Sequence, residues 1–547
     1  MKDFIDIEFP KEAADNYYQN QTKAQIDDFI YIDKEWYDRI FEPSTYYILG
    51  SKGSGKTLYA AYMCGGIRKN TLSKSYTIDV GDYGRLIRMK VAHHLDFTEY
   101  LTMWKVILLQ KFLLGIDAEE ITFWGRTKNF REIQDTISEF FGDDVTSDSF
   151  NPVTVIDSFS KQAEVTHYIN SQVNFGTTER NTPLSLSYGG NAQDKIAEQN
   201  GSSIEQTSLV YKDTWLRAIN AFRKTIEKVS LKYNHYLFVD GLDVRPAGID
   251  PIEYGECIGA LVRAVFELNT KLLGNIKRKD KCNLKIVALT RTDIFLNSNL
   301  VNVTSCINDN CVELDWTYSN ENEFRYSALY KMMNRVLGWD GLSDKKPSDI
   351  YLGFTMPYPK NRPLKADMYI QRLSRLRPRD IVKLLQLIQA QCKKRGIANP
   401  DSTLLDSSEL IAQYSNYYTD QVKSEMMFRF PNDTIKSIFE LVKTINTDII
   451  AENRFESLYK QHCSHYPEFC DIFKNHRELI DFLFSLDVIG WTEVVGHERK
   501  NMHWHYREIK AIDETYQLPW ARFDNAVDPQ LVIHRGACKH IIGIAKR

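Results

Sequence analysis

The segment that decides the fold of this chain spans residues 46–57, Tyr46-Tyr47-Ile48-Leu49-Gly50-Ser51-Lys52-Gly53-Ser54-Gly55-Lys56-Thr57. Its apolar start, Tyr46–Leu49, predicts a short strand that stops at Gly50, and a helix-compatible stretch follows over Leu58–Ile67. Between them, Gly50–Thr57 matches the pattern Gly-x4-Gly-Lys-Ser/Thr in full. A strand, a glycine-rich loop and a helix in this order predict a phosphate-binding loop.

The spacing within this loop has a physical cause. Glycines let the backbone turn tightly with its N–H groups pointing inward, which forms an anion-binding nest. The positive end of the following helix dipole adds to the attraction for phosphate. Lys56 is expected to reach the β- and γ-phosphates, and the Thr57 hydroxyl is expected to ligate Mg²⁺. The predicted ligand is ATP, with GTP as the alternative, and the predicted binding residues are Gly50, Ser51, Lys52, Gly53, Ser54, Gly55, Lys56 and Thr57.

A second apolar run ends in an acidic residue. Tyr236–Val239 has the length and composition of a buried parallel strand, and Asp240 follows it directly. Asp240 is therefore predicted to hold Mg²⁺. Asp243, three residues on, is predicted to orient or activate the attacking water. The alternatives are a turn acid at the strand end for Asp240 and a helix N-cap for Asp243.

A third polar element follows the next apolar strand, Leu284–Leu289. In ATPases with an added central strand, a polar residue at this place contacts the γ-phosphate or the water. Thr290 and Arg291 are the candidates, and a purely structural role is the alternative.

A fourth element, Arg375-Leu376-Arg377-Pro378-Arg379-Asp380, opens a predicted helix over Ile381–Cys392. Pro378 suits the first helical turn, where its missing N–H costs nothing. Cations at a helix start oppose the dipole, so arginines there need an anionic partner. Bound nucleotide is the predicted partner of Arg379, or failing that of Arg377, and salt bridges to neighbouring acids are the alternative.

The alternation of strands and helices predicts an α/β fold, a parallel sheet flanked by helices. The predicted organisation is an N-terminal arm at 1–44, a P-loop ATPase core at 45–320 with an insertion at about 142–210, a helical lid at 321–400, and a helical, winged-helix-like domain at 401–547. That last domain is predicted to end in a hairpin with strands Trp491–Val495 and His503–Glu508, joined by a loop over 496–501.

Composition gives no indication that the whole surface binds nucleic acid or membrane. With 547 residues the chain exceeds what one hydrophobic core organises, and its net charge of −3 gives no global attraction to nucleic acid or anionic membrane. No apolar stretch is long enough to span a bilayer. The nine scattered cysteines indicate free thiols in a reducing compartment, which predicts a cytoplasmic protein.

With these four elements in order, the chain resembles the additional-strand branch of P-loop NTPases. The segments Asp240–Asp243, Arg291–Phe295, Leu314–Trp316 and Arg377–Asp380 look like those of bacterial ATPases related to the KAP and STAND/NACHT groups. The resemblance implies an ATPase associated with anti-phage defence. Val244 departs from it, because STAND and NACHT proteins usually carry a further acid directly after Asp243; this departure permits slow hydrolysis. KAP relatives often carry membrane helices, and none is predicted here.

Three functions are open on these grounds, the third being a small-molecule or protein kinase that uses the same loop. The first is a nucleotide-driven switch or assembly ATPase, which would form a homo-oligomer and regulate a protein effector. The second is a nucleic-acid-remodelling ATPase whose winged-helix-like domain binds DNA, with Arg499 and Lys500 at the predicted hairpin tip.

Overall fold

The structure is a computed structural model, and part of the chain is described in it. The described residues are 2–11, 23–78, 83, 97–123, 126–141, 215–243, 245, 249–276, 278, 280–298, 300, 302–318, 321–356, 364–495, 499–504 and 517–537. The predicted insertion at about 142–210 lies outside them.

Short strands and longer helices alternate along the chain. The strands are β1 (Tyr47–Leu49), β2 (Thr71–Thr77), β3 (Asn234–Asp240), β4 (Leu284–Thr290), β5 (Cys311–Glu313), β6 (Thr355–Met356), β7 (Leu364–Lys365), β8 (Ile449–Ile450), β9 (Ile489–Val495), β10 (Arg499–His503) and β11 (Gln530–Ile533). The helices are α1 (Lys23–Phe29), α2 (Lys34–Ile40), α3 (Lys56–Cys64), α4 (Phe97–Leu114), α5 (Arg126–Phe141), α6 (215–228), α7 (Pro251–Glu267), α8 (Thr292–Leu296), α9 (Val303–Asn310), α10 (Ala328–Val336), α11 (Pro347–Tyr351), α12 (Ala366–Leu373), α13 (Pro378–Arg395), α14 (Ser402–Leu405), α15 (Ser408–Met426), α16 (Asn432–Thr444), α17 (Glu452–His465), α18 (Pro467–Ile472), α19 (His476–Ser485) and α20 (Trp520–Asn525).

The chain divides into two compact units. The sheet unit comprises residues 40–49 and 63–312, and the loop unit comprises residues 1–39, 50–62 and 313–547. The glycine-rich loop and the start of α3 thus belong to the loop unit, together with the C-terminal half of the chain.

The sheet unit is built on a five-stranded parallel sheet of order β2-β3-β4-β1-β5. The predicted α/β class is confirmed to this extent. Strand β4 lies between β1 and β3, and it is buried along its whole length. Such continuous burial explains its nearly unbroken apolar sequence, because helices cover both faces of a parallel sheet.

Register brings the carboxyl ends of four strands to one edge of the sheet. Leu49, the last residue of β1, pairs with Thr290, the last residue of β4. Asp240, the last residue of β3, pairs with Thr77 of β2. Crevices outside the carboxyl ends of parallel strands are where α/β proteins bind ligands.

At the opposite end of β4, a lysine is buried in the sheet unit. Lys285 Nζ donates to Ile40 O at 2.7 Å and to Glu42 O at 2.8 Å, and it lies 4.1 Å from the ring centroid of Tyr236. Burial lowers the pKa of Lys285 to about 7. These bonds tie the end of α2 to the sheet.

In the loop unit, the long helix α13 packs against α15 and α10. It begins at Pro378, as predicted, and ends at Arg395, capped by Gly396 in the left-handed conformation. Lys393, Lys394 and Arg395 occupy its last turn, where cations complement the helix dipole.

The C-terminal part of the loop unit contains a four-stranded antiparallel sheet of order β10-β9-β11-β8. The predicted start of the second hairpin strand at His503 is wrong, and residues 505–508 of that predicted strand lie outside the described residues. β10 runs from Arg499 to His503, because Arg499 already pairs with Val495. The predicted loop residues Arg499, Lys500 and Asn501 are therefore strand residues. The winged-helix identity of this part stays a prediction.

The prediction that the cysteines are free thiols is wrong for one pair. Cys463 in α17 and Cys470 in α18 are joined by a disulfide, with their Cα atoms 5.8 Å apart. The turn at Tyr466 brings the two short segments together, and a sequence separation of seven residues gave no signal for this. In the described part of the chain, no helix combines the length and apolar character needed to cross a membrane.

Gly241, directly after β3, provides a test of the sheet edge. Its φ is +91°, and a Cβ atom there would lie 2.3 Å from Ile78 O. Gly241→Ala is therefore expected to destabilise the sheet unit by about 2 kcal/mol or more. Gly255→Ala in α7 is the matched control, because a Cβ there meets no atom within 4 Å and Ala favours a helix by about 0.5–1 kcal/mol. Thermal unfolding of both variants measures the difference. Equal stability would contradict the close approach of residue 241 to Ile78 O.

Candidate functional site

The glycine-rich loop runs directly into α3, whose first residue is Lys56. Gly53 has φ +86° and Gly55 has φ +94°, a region that side chains with a Cβ rarely adopt. A Cβ on Gly53 would also lie 3.0 Å from Arg379 Cβ. The glycines thus allow a backbone turn that another residue type would strain.

Three consecutive loop carbonyls are each held by a donor from elsewhere in the loop unit. The pairs are Arg377 Nη1 to Lys52 O at 3.3 Å, Arg379 N to Gly53 O at 3.3 Å, and Trp316 Nε1 to Ser54 O at 2.8 Å. Trp316 and Ser54 are both buried. These bonds fix the orientation of the peptide planes in the loop.

The orientation of these peptides has a consequence for their N–H groups. In a trans peptide, the C=O of one residue and the N–H of the next point in opposite directions. Holding Lys52 O and Ser54 O therefore turns the N–H groups of Gly53 and Gly55 to the other side of the chain. Within the described residues, neither of these two N–H groups donates a hydrogen bond. Backbone N–H groups presented in this way form an anion-binding nest.

The side chain of Lys56, near the end of the loop, lies against the first residues of the same loop. Its Nζ donates to Gly50 O at 2.9 Å and to Ser51 O at 3.1 Å, and the residue is only 8% exposed. Thr57, the next residue, is half-buried at the start of α3. The loop therefore keeps an ammonium group and a hydroxyl at the N-terminus of a helix.

The arginines at the start of α13 separate into two groups. Arg375 and Arg377 are buried and share the carboxylate of Glu425, with Oε1 at 2.9 Å from Arg375 Nη1 and 2.6 Å from Arg377 Nη1. Salt bridges to neighbouring acids, the alternative to nucleotide binding, therefore describe Arg375 and Arg377. Arg379 is half-buried, and within the described residues its guanidinium makes no hydrogen bond or ion pair. Its side chain lies over Gly53 of the loop.

Burial and neighbouring carboxylates shift the pKa of Arg375 in opposite directions. Burial alone would lower the pKa of its guanidinium, but the charges of Glu425 and Asp380 hold that pKa well above its usual value. The Arg375 backbone N–H donates to Asp380 Oδ2 at 3.0 Å, so this acid also fixes the turn before α13.

A cleft of about 330 Å³ lies within the loop unit, beside the C-terminal half of α3. Its lining includes the aromatic side chains of Tyr31, Tyr62 and Trp339, together with Ile30, Lys331 and Asp340. This volume is near the lower limit of small-molecule sites, and the lining is mainly apolar with a few polar groups.

In the sheet unit, the predicted acids follow β3. Asp240 is half-buried at the strand end, and its Oδ1 accepts from Gly241 N at 2.8 Å. Asp243 lies in the next turn. The helix N-cap alternative for Asp243 is wrong, because α7 is the next described helix and is capped by Asp250, which accepts from the N–H groups of Ile252 and Glu253.

Two buried tyrosines line the turn after β3. Tyr83 Oη donates to Gly241 O at 3.1 Å, and its ring packs edge-on against Tyr254 with centroids 5.1 Å apart. Burial raises the pKa of Tyr254, and the nearby charge of Asp243 raises it further. The carboxylate of Asp243 therefore stands beside neutral phenols.

The two candidates after β4 differ in their surroundings. The Thr290 hydroxyl is buried and has no hydrogen-bond partner among the described residues. Arg291 makes a two-bond ion pair with Asp293, Nε to Oδ1 at 2.9 Å and Nη2 to Oδ2 at 2.6 Å. The charge of Arg291 is thus already compensated.

Three residues that hold the loop were not predicted as site residues. Trp316 reaches Ser54, Ser424 accepts a hydrogen bond from Lys52 Nζ, and Glu425 pairs with Arg377. Only Glu425 carried a sequence signal, since an acid in the last turn of a helix opposes the dipole.

No group of three or more His, Cys, Asp or Glu side chains that could hold a metal ion occurs among the described residues. Comparisons of the chain with protein-family models, with curated proteins and with solved structures find no match.

The bond from Trp316 to the loop can be tested by one substitution. Trp316→Phe keeps a ring but removes the Nε1–H, which leaves Ser54 O buried without its donor. The cost is about 1–3 kcal/mol, so affinity for a fluorescent ATP analogue is expected to fall about tenfold. Trp36→Phe is the control, because the Trp36 ring packs on Trp316 at 4.9 Å and its indole N–H donates no hydrogen bond within the described residues. Equal affinities for both variants would show that this bond does not shape the loop.

Proposed function

We propose that this chain is a Mg²⁺-dependent ATPase that binds ATP through the loop Gly50–Thr57. The observation that carries the proposal is the orientation of the loop peptides. The carbonyls of Lys52 and Ser54 are held by side-chain donors, and the N–H groups of Gly53 and Gly55 are left for an anion. Triphosphate is the anion that best fits such a nest at the start of a helix.

Each loop residue then has a defined task. Lys56 leaves the carbonyls of Gly50 and Ser51 and bonds to the β- and γ-phosphates. Thr57 and Asp240 are the proposed holders of Mg²⁺, since a hydroxyl and a carboxylate supply the oxygen donors that this ion prefers. When bound, Mg²⁺ would neutralise charge that develops on the phosphate oxygens.

Hydrolysis needs a group that accepts the proton of the attacking water. We assign this role to Asp243, whose carboxylate stands beside two buried phenols rather than in a salt bridge with a described cation. Val244 follows it where related ATPases have a second acid, which is consistent with slow turnover. Thr290 is the proposed polar contact at the end of β4, because Arg291 is engaged by Asp293.

Arg379 is the proposed sensor of the phosphate chain. It is placed over Gly53 and at the start of a helix, where a cation is unfavourable without an anion. A nucleotide that engages Arg379 would favour one arrangement of α13 over another, as a switch requires. We further propose a cytoplasmic homo-oligomer that regulates a protein effector, and the resemblance to KAP and STAND/NACHT proteins supports a role in anti-phage defence.

The cleft beside α3 is the proposed place of the base. It is lined by three aromatic rings and lies along the helix whose first residues form the loop. An aromatic base would stack on such rings, while Lys331 and Asp340 would contact its polar edge.

The assignment of Lys56 can be tested by removing its ammonium group. Lys56→Ala is expected to lower affinity for a fluorescent ATP analogue by about 100-fold, because charge-assisted bonds to phosphate contribute about 1.5–3 kcal/mol each. Lys345→Ala, at an exposed position, is the control and should bind like the wild type. Unchanged affinity in a folded Lys56→Ala protein would remove the basis of the proposal.

The two acids after β3 are expected to differ in effect. Asp240→Asn should abolish ATP hydrolysis while sparing ATP binding, because it weakens the hold on Mg²⁺ and not the phosphate cradle. Asp243→Asn should reduce turnover by about 100-fold or more at similar affinity if it acts as general base. Steady-state phosphate release measures both, and wild-type turnover in Asp243→Asn would end its catalytic assignment.

A further inference from the structure

The last turn of α15 contains a carboxylate that its own helix disfavours. Glu425 is only 5% exposed and lies at the C-terminal end of the helix, where the dipole is negative. A buried carboxylate is costly unless cations and hydrogen bonds compensate it. Its position therefore depends on partners outside α15.

Those partners come from the segment that opens α13. Arg375 and Arg377 both donate to Glu425 Oε1, and Arg377 Nη2 also lies 3.5 Å from Asp487 Oδ2. The same Arg377 Nη1 donates to Lys52 O in the glycine-rich loop. One guanidinium nitrogen thus joins the carboxylate of α15 to a loop carbonyl.

The residue before Glu425 makes a second connection to the same loop residue. Lys52 Nζ donates to Ser424 Oγ. Lys52 is therefore held at two points, its carbonyl through Arg377 and its ammonium group by α15 itself. This lysine is directed toward the helix and not toward the nest.

We propose that Glu425 and Ser424 are positioning residues of the phosphate cradle. Glu425 acts through Arg377, and Ser424 acts on Lys52. Together they keep the Lys52–Gly53 peptide turned so that the Gly53 N–H faces the phosphate. The inference rests on the proposed function and extends it, because a helix from the C-terminal half of the chain becomes part of the nucleotide site. By reciprocity, phosphate binding stabilises the contact between the loop and α15.

The peptide geometry explains why these contacts matter. Without Glu425, Arg377 keeps only the more distant carboxylate of Asp487 among the acids named above, and its bond to Lys52 O loses support. The Lys52–Gly53 peptide is then free to rotate about its flanking bonds, which glycine permits on one side. A rotated peptide would present a carbonyl oxygen to phosphate and repel it.

The test uses inorganic tripolyphosphate, which reports on the cradle without a base. Glu425→Gln keeps the size of the side chain and removes its charge, and it is expected to weaken tripolyphosphate binding at least tenfold in the full chain. Asp367→Asn is the matched control. Asp367 is also a buried carboxylate in the loop unit, paired with Arg325 at 3.1 Å and without a bond to the loop. It should lose thermal stability but bind tripolyphosphate within twofold of the wild type.

A second measurement covers the case in which Glu425→Gln does not fold. Ser424→Ala and Lys52→Met each remove one side of the partly buried bond between Lys52 Nζ and Ser424 Oγ, and each should weaken binding severalfold. The double variant should be no weaker than the worse single variant, since both remove the same contact. Wild-type affinity in Ser424→Ala, or simple additivity of the two effects, would overturn the positioning role. Failure of the wild-type protein itself to bind tripolyphosphate would instead overturn the proposed function.

Discussion

The planarity of the peptide bond is the constraint on which this site depends. A buried carbonyl must find a donor, and the direction in which it finds one fixes the direction of the next N–H group. In the glycine-rich loop, Arg377 and Trp316 supply the donors for Lys52 O and Ser54 O. The directions of the Gly53 and Gly55 N–H groups, which we propose as anion donors, are thus set by side chains more than 250 residues away in the sequence.

The buried charged network next to the loop fixes the arrangement of its side chains more than it stabilises the folded state. Arg375 and Arg377 face Glu425, Asp380 and Asp487 in a buried region, where desolvation largely offsets the attraction between the charges. Removing one member of such a group costs about 3–5 kcal/mol, because the remaining charge is left uncompensated. The network therefore holds its members in one arrangement.

Sequence patterns were sufficient for features that depend on near neighbours. The apolar run at Tyr236–Val239 predicted β3, and the structure extends that strand to Asn234–Asp240. Pro378 predicted the start of α13 because its ring fits the first helical turn. The glycine spacing predicted the loop itself.

Features set by distant partners could not be predicted in this way. Nothing in the local sequence of Ser424 or Trp316 indicates that it bonds to the loop. The strand at Arg499–His503 was missed because polar residues in an antiparallel sheet are accommodated by pairing, which a propensity argument does not see. Arg377 illustrates both cases. Its need for an anion was predictable, but the identity of that anion, Glu425, was not.

The most direct measurement is the amide chemical shift of Gly53 and Gly55. Among the 27 glycines, Gly53 alone follows a lysine and Gly55 alone follows a serine. Labelling with [¹³C-carbonyl]lysine and [¹⁵N]glycine, or with the serine equivalent, therefore gives one signal for each N–H. Both signals are expected to shift as Mg²⁺–ATP is added and to saturate together with equilibrium binding. Saturating binding that leaves both signals unmoved would contradict this expectation, because phosphate would then be held somewhere other than this nest.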